Sequence, residues 1–377
     1  MNYKCNNLSN HRYSDVFSFD EYEEDEVSIG STIENHLFQI SSSNDHDFIV
    51  SHIKQLTNIL LHANASEIYT IDMNLVSNLI EKLILNESQI ILESITMLLL
   101  NFLALDKEIS SFLWKSNIIH FIITNIYDHD SIYIKCLNNI LSDCDKETKQ
   151  SILSCFEPVL LSFSENIPYY SATLMYYSEL SLSTTAINHC IHIIFHYLYY
   201  EDPKSLHYLL FSLKNLTSQS DFKPDPDFFP NISNIFTPKL IETHTNTEIA
   251  CQIHQQVFSA FQNISDYNTD PIISAFNTAK PPETRAVIAF TLFTISSSSP
   301  HLSQTILASV PLSDLLSIYP TSPFILQAAL SSLICTHSLA ANTPIPPKIL
   351  ESMTQIQDPV LTPLINLAAG KNKPTTR

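Results

Sequence analysis

The sequence predicts an all-α fold, a right-handed superhelix of about eight stacked repeats, and three observations support this prediction. Apolar residues recur every three or four positions, as they do on the buried face of a helix. A two-helix motif returns with a period of about 40 residues, which is typical of helical solenoids. Glycine, which helices need least, occurs only at Gly30 and Gly370 in 377 residues.

The composition argues against most glycine-dependent folds. Rossmann folds, P-loops, kinases, propellers and β-sandwiches use glycine in left-handed turns or phosphate-binding loops. Hydrophobic residues make up 45% of the chain and charged residues 15%, enough apolar material to bury a large core and to exclude general disorder. No segment alternates strictly between apolar and polar residues, so the sequence predicts no sheet.

Each repeat consists of an apolar helix, a short polar turn and a second helix. The clearest unit has helices at 116–126 and 131–141, separated by the turn 127–130. Several second helices begin with proline, whose missing N–H costs nothing in the first turn, and two of these prolines follow an aspartate that can cap the helix. These helix-start residues are Pro203, Pro282, Pro323, Pro359, Asp202 and Asp358.

An asparagine, or its equivalent, closes each second helix and gives the repeat period. Its spacing varies from 31 to 48 residues, and the longest interval contains a Pro- and Asp-rich loop, 218–231, predicted as an insertion. One helix pair cannot bury its own apolar face, so the repeats should stack into a superhelix with a concave surface. The closing positions are Asn58, Asn101, Asn139, Glu179, Asn215, Asn263, Thr294, Cys335 and Asn366.

The closing step resembles the armadillo-repeat family over residues 45–370. It reads LTNIL at 56–60, LLNFL at 99–103, LNNIL at 137–141, LKNLT at 213–217 and FQNIS at 261–265. In that family the last helix of each repeat lines the concave groove, and its Asn commonly hydrogen-bonds the main chain of an extended peptide. The resemblance therefore implies a peptide-binding role for Asn101, Asn139, Asn215 and Asn263. Alternatively, these amides satisfy neighbouring backbone within the solenoid.

The resemblance extends to importin-α-type repeats, which implies, as an alternative function, a nuclear-transport adaptor that binds basic peptides. Those repeats also carry a Trp four residues before the Asn. Here the matching positions are Met97, Lys135, Phe211 and Ser259. The interhelical glycine is also missing, and the leader is acidic where the importin-α leader is basic, so the repeats are divergent.

Charge and composition divide the chain into an acidic disordered leader at 1–30, a repeat domain at 31–370 and a basic tail at 371–377. The formal net charge is −19, with only three arginines, which argues against nucleic-acid binding. An acidic surface attracts basic ligands. We therefore expect a non-catalytic scaffold that binds another protein or an extended peptide, with basic ligands favoured by the acidic surface and the oligomeric state left open.

Cysteine use and hydropathy indicate the compartment. The seven cysteines form no CxxC pair and are predicted as small buried residues in a reducing compartment, the cytoplasm and/or the nucleus. The N-terminus lacks the apolar core of a signal peptide. The apolar segment 91–105 is interrupted by Glu93 and Asn101, which predicts a core helix and no membrane insertion.

A metal site is the alternative of another class. His192 and His196 are four residues apart on a predicted helix, a spacing that suits zinc, with His189 and Cys190 one turn earlier. Ordinary half-buried histidines would give the same pattern, so no cofactor is predicted. No GxSxG nucleophile motif occurs, and no catalytic residue is predicted. The tyrosine-rich segments 169–180 and 195–202 are interpreted as core.

Overall fold

The computed structural model describes residues 28–64, 66, 71–84, 88–105, 118–126, 131–160, 167–198, 203–262 and 264–371. Throughout these residues the regular structure is helical and no strand occurs, which confirms the predicted all-α class. The helices are α1 (Ile29–Ser42), α2 (His46–His62), α3 (Met73–Ile84), α4 (Gln89–Leu105), α5 (Ile118–Asn125), α6 (Ser131–Asp143), α7 (Lys146–Leu160), α8 (Ile167–Ser178), α9 (Thr184–Leu198), α10 (Pro203–Thr217), α11 (Phe228–Ser233), α12 (Pro238–Glu242), α13 (His244–Ala260), α14 (Asp270–Thr278), α15 (Pro282–Ser298), α16 (Pro300–Ser309), α17 (Leu312–Ile318), α18 (Phe324–Ala341), α19 (Pro347–Thr354) and α20 (Leu361–Lys371).

Nine of these helices form one continuous layer, which we call the ladder. Each ladder helix packs directly on the next, in the order α2, α4, α6, α8, α10, α13, α15, α18 and α20. The remaining helices form an outer layer, in which α1, α3, α5 and α7 follow one another. The protein is therefore a two-layered superhelical solenoid.

The predicted repeat register agrees with this architecture. Seven of the closing positions lie on ladder helices, and Glu179 directly follows α8. Asn263 comes after the end of α13 and lies outside the described residues. Most of the predicted leader and tail, 1–27 and 372–377, also lies outside them, so the proposed domain limits remain predictions.

Apolar side chains and repeat-spaced hydrogen bonds hold neighbouring repeats together. On α10, between α8 and α13, the predicted apolar face is buried: Leu209, Leu210, Leu213 and Leu216 are fully inaccessible. Side-chain hydrogen bonds 35 to 40 residues apart in sequence link adjacent repeats. They join Thr173 to Asn138 (2.7 Å), Gln255 to Thr291 (2.9 Å), His244 to Thr284 (2.9 Å) and Cys136 to the Thr96 carbonyl (3.6 Å).

Several helices begin as predicted. The Asp358 carboxylate accepts hydrogen bonds from the N–H groups of Val360 (2.8 Å) and Leu361 (3.0 Å), at the start of α20. Asp45 caps α2 in the same way. Asp145 caps α7 and accepts from the Thr148 N–H, and this hydrogen bond lowers the pKa of its carboxyl. Part of the acidity of the chain therefore serves to start helices. Asp202 lies outside the described residues.

The predicted insertion is packed into the array. Phe222 and Phe228 are buried, and their ring centroids are 5.1 Å apart. The Gln219 amide donates to the Leu180 carbonyl at 2.8 Å, which ties the insertion to the end of the preceding repeat. Its final residues, from Phe228, already belong to α11 and are not a loop, and this short helix buries Phe228 and Ile232.

The cysteine prediction is partly wrong. Cys136, Cys190, Cys251 and Cys335 are buried as predicted, and Cys144 is half-buried. Burial raises the pKa of the Cys251 and Cys335 thiols to about 12. Cys155 is exposed, because α7 belongs to the outer layer and only one of its faces packs against other helices. Cys5 lies outside the described residues.

The tyrosine-rich segments pack as predicted. Tyr170, Tyr177 and Tyr197 are buried, and the rings of Tyr170 and Tyr197 meet edge to face at 5.9 Å. Segment 91–105 lies in α4, where Ile91 and Ile95 are fully inaccessible, as expected of a core helix.

One described helix, α18, is long and apolar enough to cross a membrane by length and composition. In the fold it packs against α15 and α20, and 56% of this segment is buried.

Substitution of a ladder core residue should destabilise the array. Leu213→Ala removes a fully buried side chain, and we expect the free energy of unfolding to fall by about 2–5 kcal/mol. Leu367→Ala is the matched control, because Leu367 is 60% exposed and its loss should cost at most about 0.5 kcal/mol. Urea denaturation followed by circular dichroism measures both, and equal losses would contradict the assignment of the core.

Stability should also fall in mild acid because of His254. Burial lowers the pKa of this imidazole to about 4, although its ring donates to the Ala250 carbonyl at 2.8 Å. Between pH 6.5 and 4 the unfolded chain therefore binds a proton that the folded chain does not. At about pH 5 this one group should cost about 2 kcal/mol of unfolding free energy.

His254→Asn is the test of that pH effect. The Asn can keep the bond to the carbonyl four residues earlier, as Asn125 does with Phe121, but it cannot titrate. Urea denaturation at neutral pH and at about pH 5 should show a smaller acid loss in the variant. An unchanged loss would show that another group carries the pH dependence.

Candidate binding surface

The candidate site is the ladder surface, by which we mean the side of the ladder helices that the outer layer does not cover. Neighbouring ladder helices pack more extensively on each other than neighbouring outer helices do. In a curved stack the helices on the inside of the curve approach one another most closely, so we infer that the ladder faces the concave side.

Exposed apolar side chains concentrate on this layer. Of the ten large hydrophobic residues exposed in the described chain, eight belong to ladder helices. Exposed hydrophobic residues are normally scattered, so their concentration on one layer makes these helices the candidate binding surface. They fall into two sets: an N-terminal apolar group on α2 and α4 (Phe48, Leu61, Ile90 and Met97) and a C-terminal apolar group on α15, α18 and α20 (Phe290, Phe324, Ile325 and Leu367).

The ladder between these groups is more polar, and its polar side chains bind one another. The Lys214 ammonium donates to the Gln252 amide oxygen at 2.7 Å, and the Gln252 amide donates to Glu248 at 3.2 Å. Ser218 donates to Gln256 at 3.1 Å. Because these contacts fix the side chains across repeats, a bound segment would meet an ordered polar centre.

The predicted asparagines differ in what they contact. The Asn101 amide donates to the Met97 carbonyl of its own helix at 3.0 Å. The Asn215 amide donates to the Ser178 hydroxyl of the preceding repeat at 3.1 Å. Asn139 is half-buried, and no side-chain hydrogen bond is seen for it within the described residues. Asn263 lies outside them. Asn101 and Asn215 thus hydrogen-bond groups within the solenoid, as the alternative interpretation expects. The peptide-binding role of all four asparagines stays a prediction.

The charges of the ladder are balanced, unlike those of the chain. The nine ladder helices carry five acidic and six basic residues, against 38 and 19 in the whole sequence. Most of the excess acidity therefore lies outside these helices. The expected preference for basic ligands stays a prediction, and the balanced charges of the ladder helices do not support it.

The histidines proposed for zinc do not converge on one point. His192 Nε2 lies 2.7 Å from Asp225 Oδ2 of the insertion, whereas Cys190 is fully buried on the core side of α9. His189 and His196 are exposed. Within the described ranges no three His, Cys, Asp or Glu side chains are placed to share a metal ion. The helix spacing correctly predicted that His192 and His196 share one face of α9. The contact of His192 with Asp225 could not be predicted from spacing, because Asp225 lies on the separate segment of the insertion.

The two apolar groups were not among the features predicted from the sequence. Leu61, Ile90 and Met97 each fall outside the buried stripe of an otherwise regular helix, and this departure is a signal that the sequence does carry. It is weak, because a single apolar residue outside the stripe is common on any surface.

Comparisons with known proteins support the fold and go no further. No known protein family matches the sequence, and no curated protein is detectably similar. An engineered protein of known structure aligns with a TM-score of 0.59 and 14% identity, over 90% of this chain and 88% of that one. A chain from the study of a phosphorylation switch controlling the interaction between cadherin and beta-catenin aligns with a TM-score of 0.61 and 15% identity, over 88% and 68%. At this identity the likeness shows armadillo-like helical repeats as a fold alone.

The contacts of Asn215 and Asn139 predict different effects of substitution. Asn215→Ala removes a hydrogen bond between repeats, and we expect it to lower the unfolding free energy by about 1 kcal/mol. Asn139→Ala removes no such bond and should stay within about 0.5 kcal/mol of the parent chain. Urea denaturation of both variants checks this, and a larger loss for Asn139→Ala would reverse the two assignments.

Proposed function

We propose that this chain is a non-catalytic protein-binding scaffold that holds an extended segment or a helix of its partner on the ladder surface. The observation that carries the proposal is the concentration of exposed apolar side chains, eight of ten, on the ladder helices. Fully burying one such side chain contributes about 1.5–3 kcal/mol, so several anchors together with main-chain hydrogen bonds are needed to offset the cost of association.

The two apolar groups suggest how a partner would bind. Five stacking steps separate α4 from α15. At about 10 Å for each step, the groups are roughly 50 Å apart along the ladder. An extended segment of roughly 15 residues covers that length. Its apolar residues would occupy the two ends, and its main chain would pass over the polar centre.

Polar groups of the ladder would fix the register of the bound segment. An amide offers both a donor and an acceptor to a peptide backbone whatever its sequence. The Asn139 side chain, half-buried on α6 between the two apolar groups, is the group best suited to this role. The structural likeness to a chain studied for its interaction with cadherin favours protein binding in general as the use of such a surface.

The transport-adaptor alternative receives no specific support. A basic peptide gains affinity from an acidic groove, and the ladder helices carry nearly equal numbers of acidic and basic residues. We also propose a reducing compartment, the cytoplasm and/or the nucleus, from the burial of most of the described cysteines.

Site-specific crosslinking tests the binding surface. A photo-crosslinking phenylalanine analogue placed at Phe290 or Met97 should form adducts with partner proteins in cells. Phe38 is the matched control, since it is 62% exposed but belongs to the outer helix α1. We expect crosslinks from the two ladder positions and few from the control. Equal crosslinking from all three positions would contradict a specific ladder surface.

Quantitative binding to the captured partner completes the test. The double variant Phe290→Ser with Phe324→Ser should weaken binding at least tenfold, because it removes two exposed anchors without touching the core. Phe38→Ser should leave affinity unchanged. A basic nuclear-localisation peptide measured alongside should not bind at micromolar concentration, and if it does, the adaptor alternative replaces our proposal.

A further inference from the structure

Two histidines of the first repeat, one on the outer helix α1 and one on the ladder helix α2, lie in direct contact with each other. His36 on α1 and His52 on α2 are both half-buried, and their Nδ1 atoms are 3.0 Å apart. The two rings are tilted by 56° with centroids 5.1 Å apart. Phe48, one turn before His52, packs against the His52 ring at 4.2 Å and restricts its rotation.

We propose that His36 and His52 form a two-histidine site for a divalent transition-metal ion of tetragonal preference, such as Cu²⁺. The contact of two half-buried imidazole nitrogens from separate helices carries this inference. Metal–imidazole bonds are about 2.0–2.1 Å long. Two such nitrogens 3.0 Å apart subtend an angle of roughly 94° at the metal.

The choice of ion rests mainly on imidazole chemistry, because the 3.0 Å separation is also that of the pair's own hydrogen bond. Adjacent ligands of a square-planar or tetragonal ion subtend about 90°, which is the geometry that Cu²⁺ and Ni²⁺ prefer. Tetrahedral Zn²⁺ needs a larger angle and hence nitrogens roughly 3.3 Å apart. The Irving–Williams order also places Cu²⁺ first among divalent ions for imidazole nitrogen. The pair therefore favours Cu²⁺ over Zn²⁺.

Binding requires a tautomer change and a rotation of both rings that turns the two Nδ1 lone pairs from the hydrogen-bond line toward the ion. In the metal-free pair one neutral imidazole donates its Nδ1 hydrogen to the other. For both Nδ1 lone pairs to bind the ion, that hydrogen moves to Nε2 of the same ring, and no proton leaves the protein.

The protein supplies only part of the coordination sphere. No third His, Cys, Asp or Glu completes the group in the part of the chain that the structure describes. The remaining positions would go to water or to a ligand atom from outside the chain. The site is thus open to ligands from outside the chain, and its expected affinity for the ion is that of two imidazole ligands in fixed positions.

Titration of the full chain with Cu²⁺ alone tests the site. We expect one Cu²⁺ to bind more tightly than any other, with a paramagnetic resonance spectrum showing coupling to two imidazole nitrogens. His36→Gln and His52→Gln should each weaken this binding at least tenfold and remove the coupling of one nitrogen. Zn²⁺ should bind the parent chain more weakly than Cu²⁺.

Two controls locate the binding. His301→Gln removes an exposed histidine on α16 and should change nothing. The double variant His192→Gln with His196→Gln removes the other candidate pair and should also leave the tight Cu²⁺ in place. Loss of the tight ion in that double variant, or its retention in both His36→Gln and His52→Gln with an unchanged spectrum, would overturn the proposal. Circular dichroism confirms that each variant stays folded.

Discussion

The structure depends on the stacking of ladder helices through their apolar faces. A single helix pair exposes too much apolar surface to fold alone, so each repeat is stabilised mainly by its neighbours. The fully buried leucines of α10 lie between α8 and α13, and the same arrangement recurs along the nine ladder helices. Because such contacts are non-directional, hydrogen bonds such as Gln255 to Thr291 are needed to set the register of one repeat on the next.

Apolar stacking of the helices and polar links between repeats leave a surface with distinct polar and apolar regions. In the central repeats polar side chains join one repeat to the next, and few large apolar groups are exposed there. Toward both ends such links occur alongside exposed apolar residues on the ladder helices. A scaffold of this kind offers rigid anchors, and rigidity reduces the entropy lost when a flexible segment binds.

The distribution of charge follows from the same constraint. Carboxylates are expensive on a closely packed layer but favourable at helix N-termini, where free N–H groups and the helix dipole stabilise them. Asp45, Asp145 and Asp358 occupy such positions. The acidity of the chain is therefore partly a property of its many helix starts, and it does not by itself describe the ligand that the ladder accepts.

The sequence by itself determined the fold class, the repeat period and the helix starts, because periodicity, proline position and capping residues act over a few neighbouring residues. It also determined that Asn101, Asn139 and Asn215 belong to one layer. Only the tertiary structure decided which contacts these amides make, that Cys155 is exposed, and that Asp225 meets His192. The pairing of His36 with His52 was equally invisible. Such contacts depend on how separate helices are rotated and aligned against one another, and no spacing within a single helix encodes that.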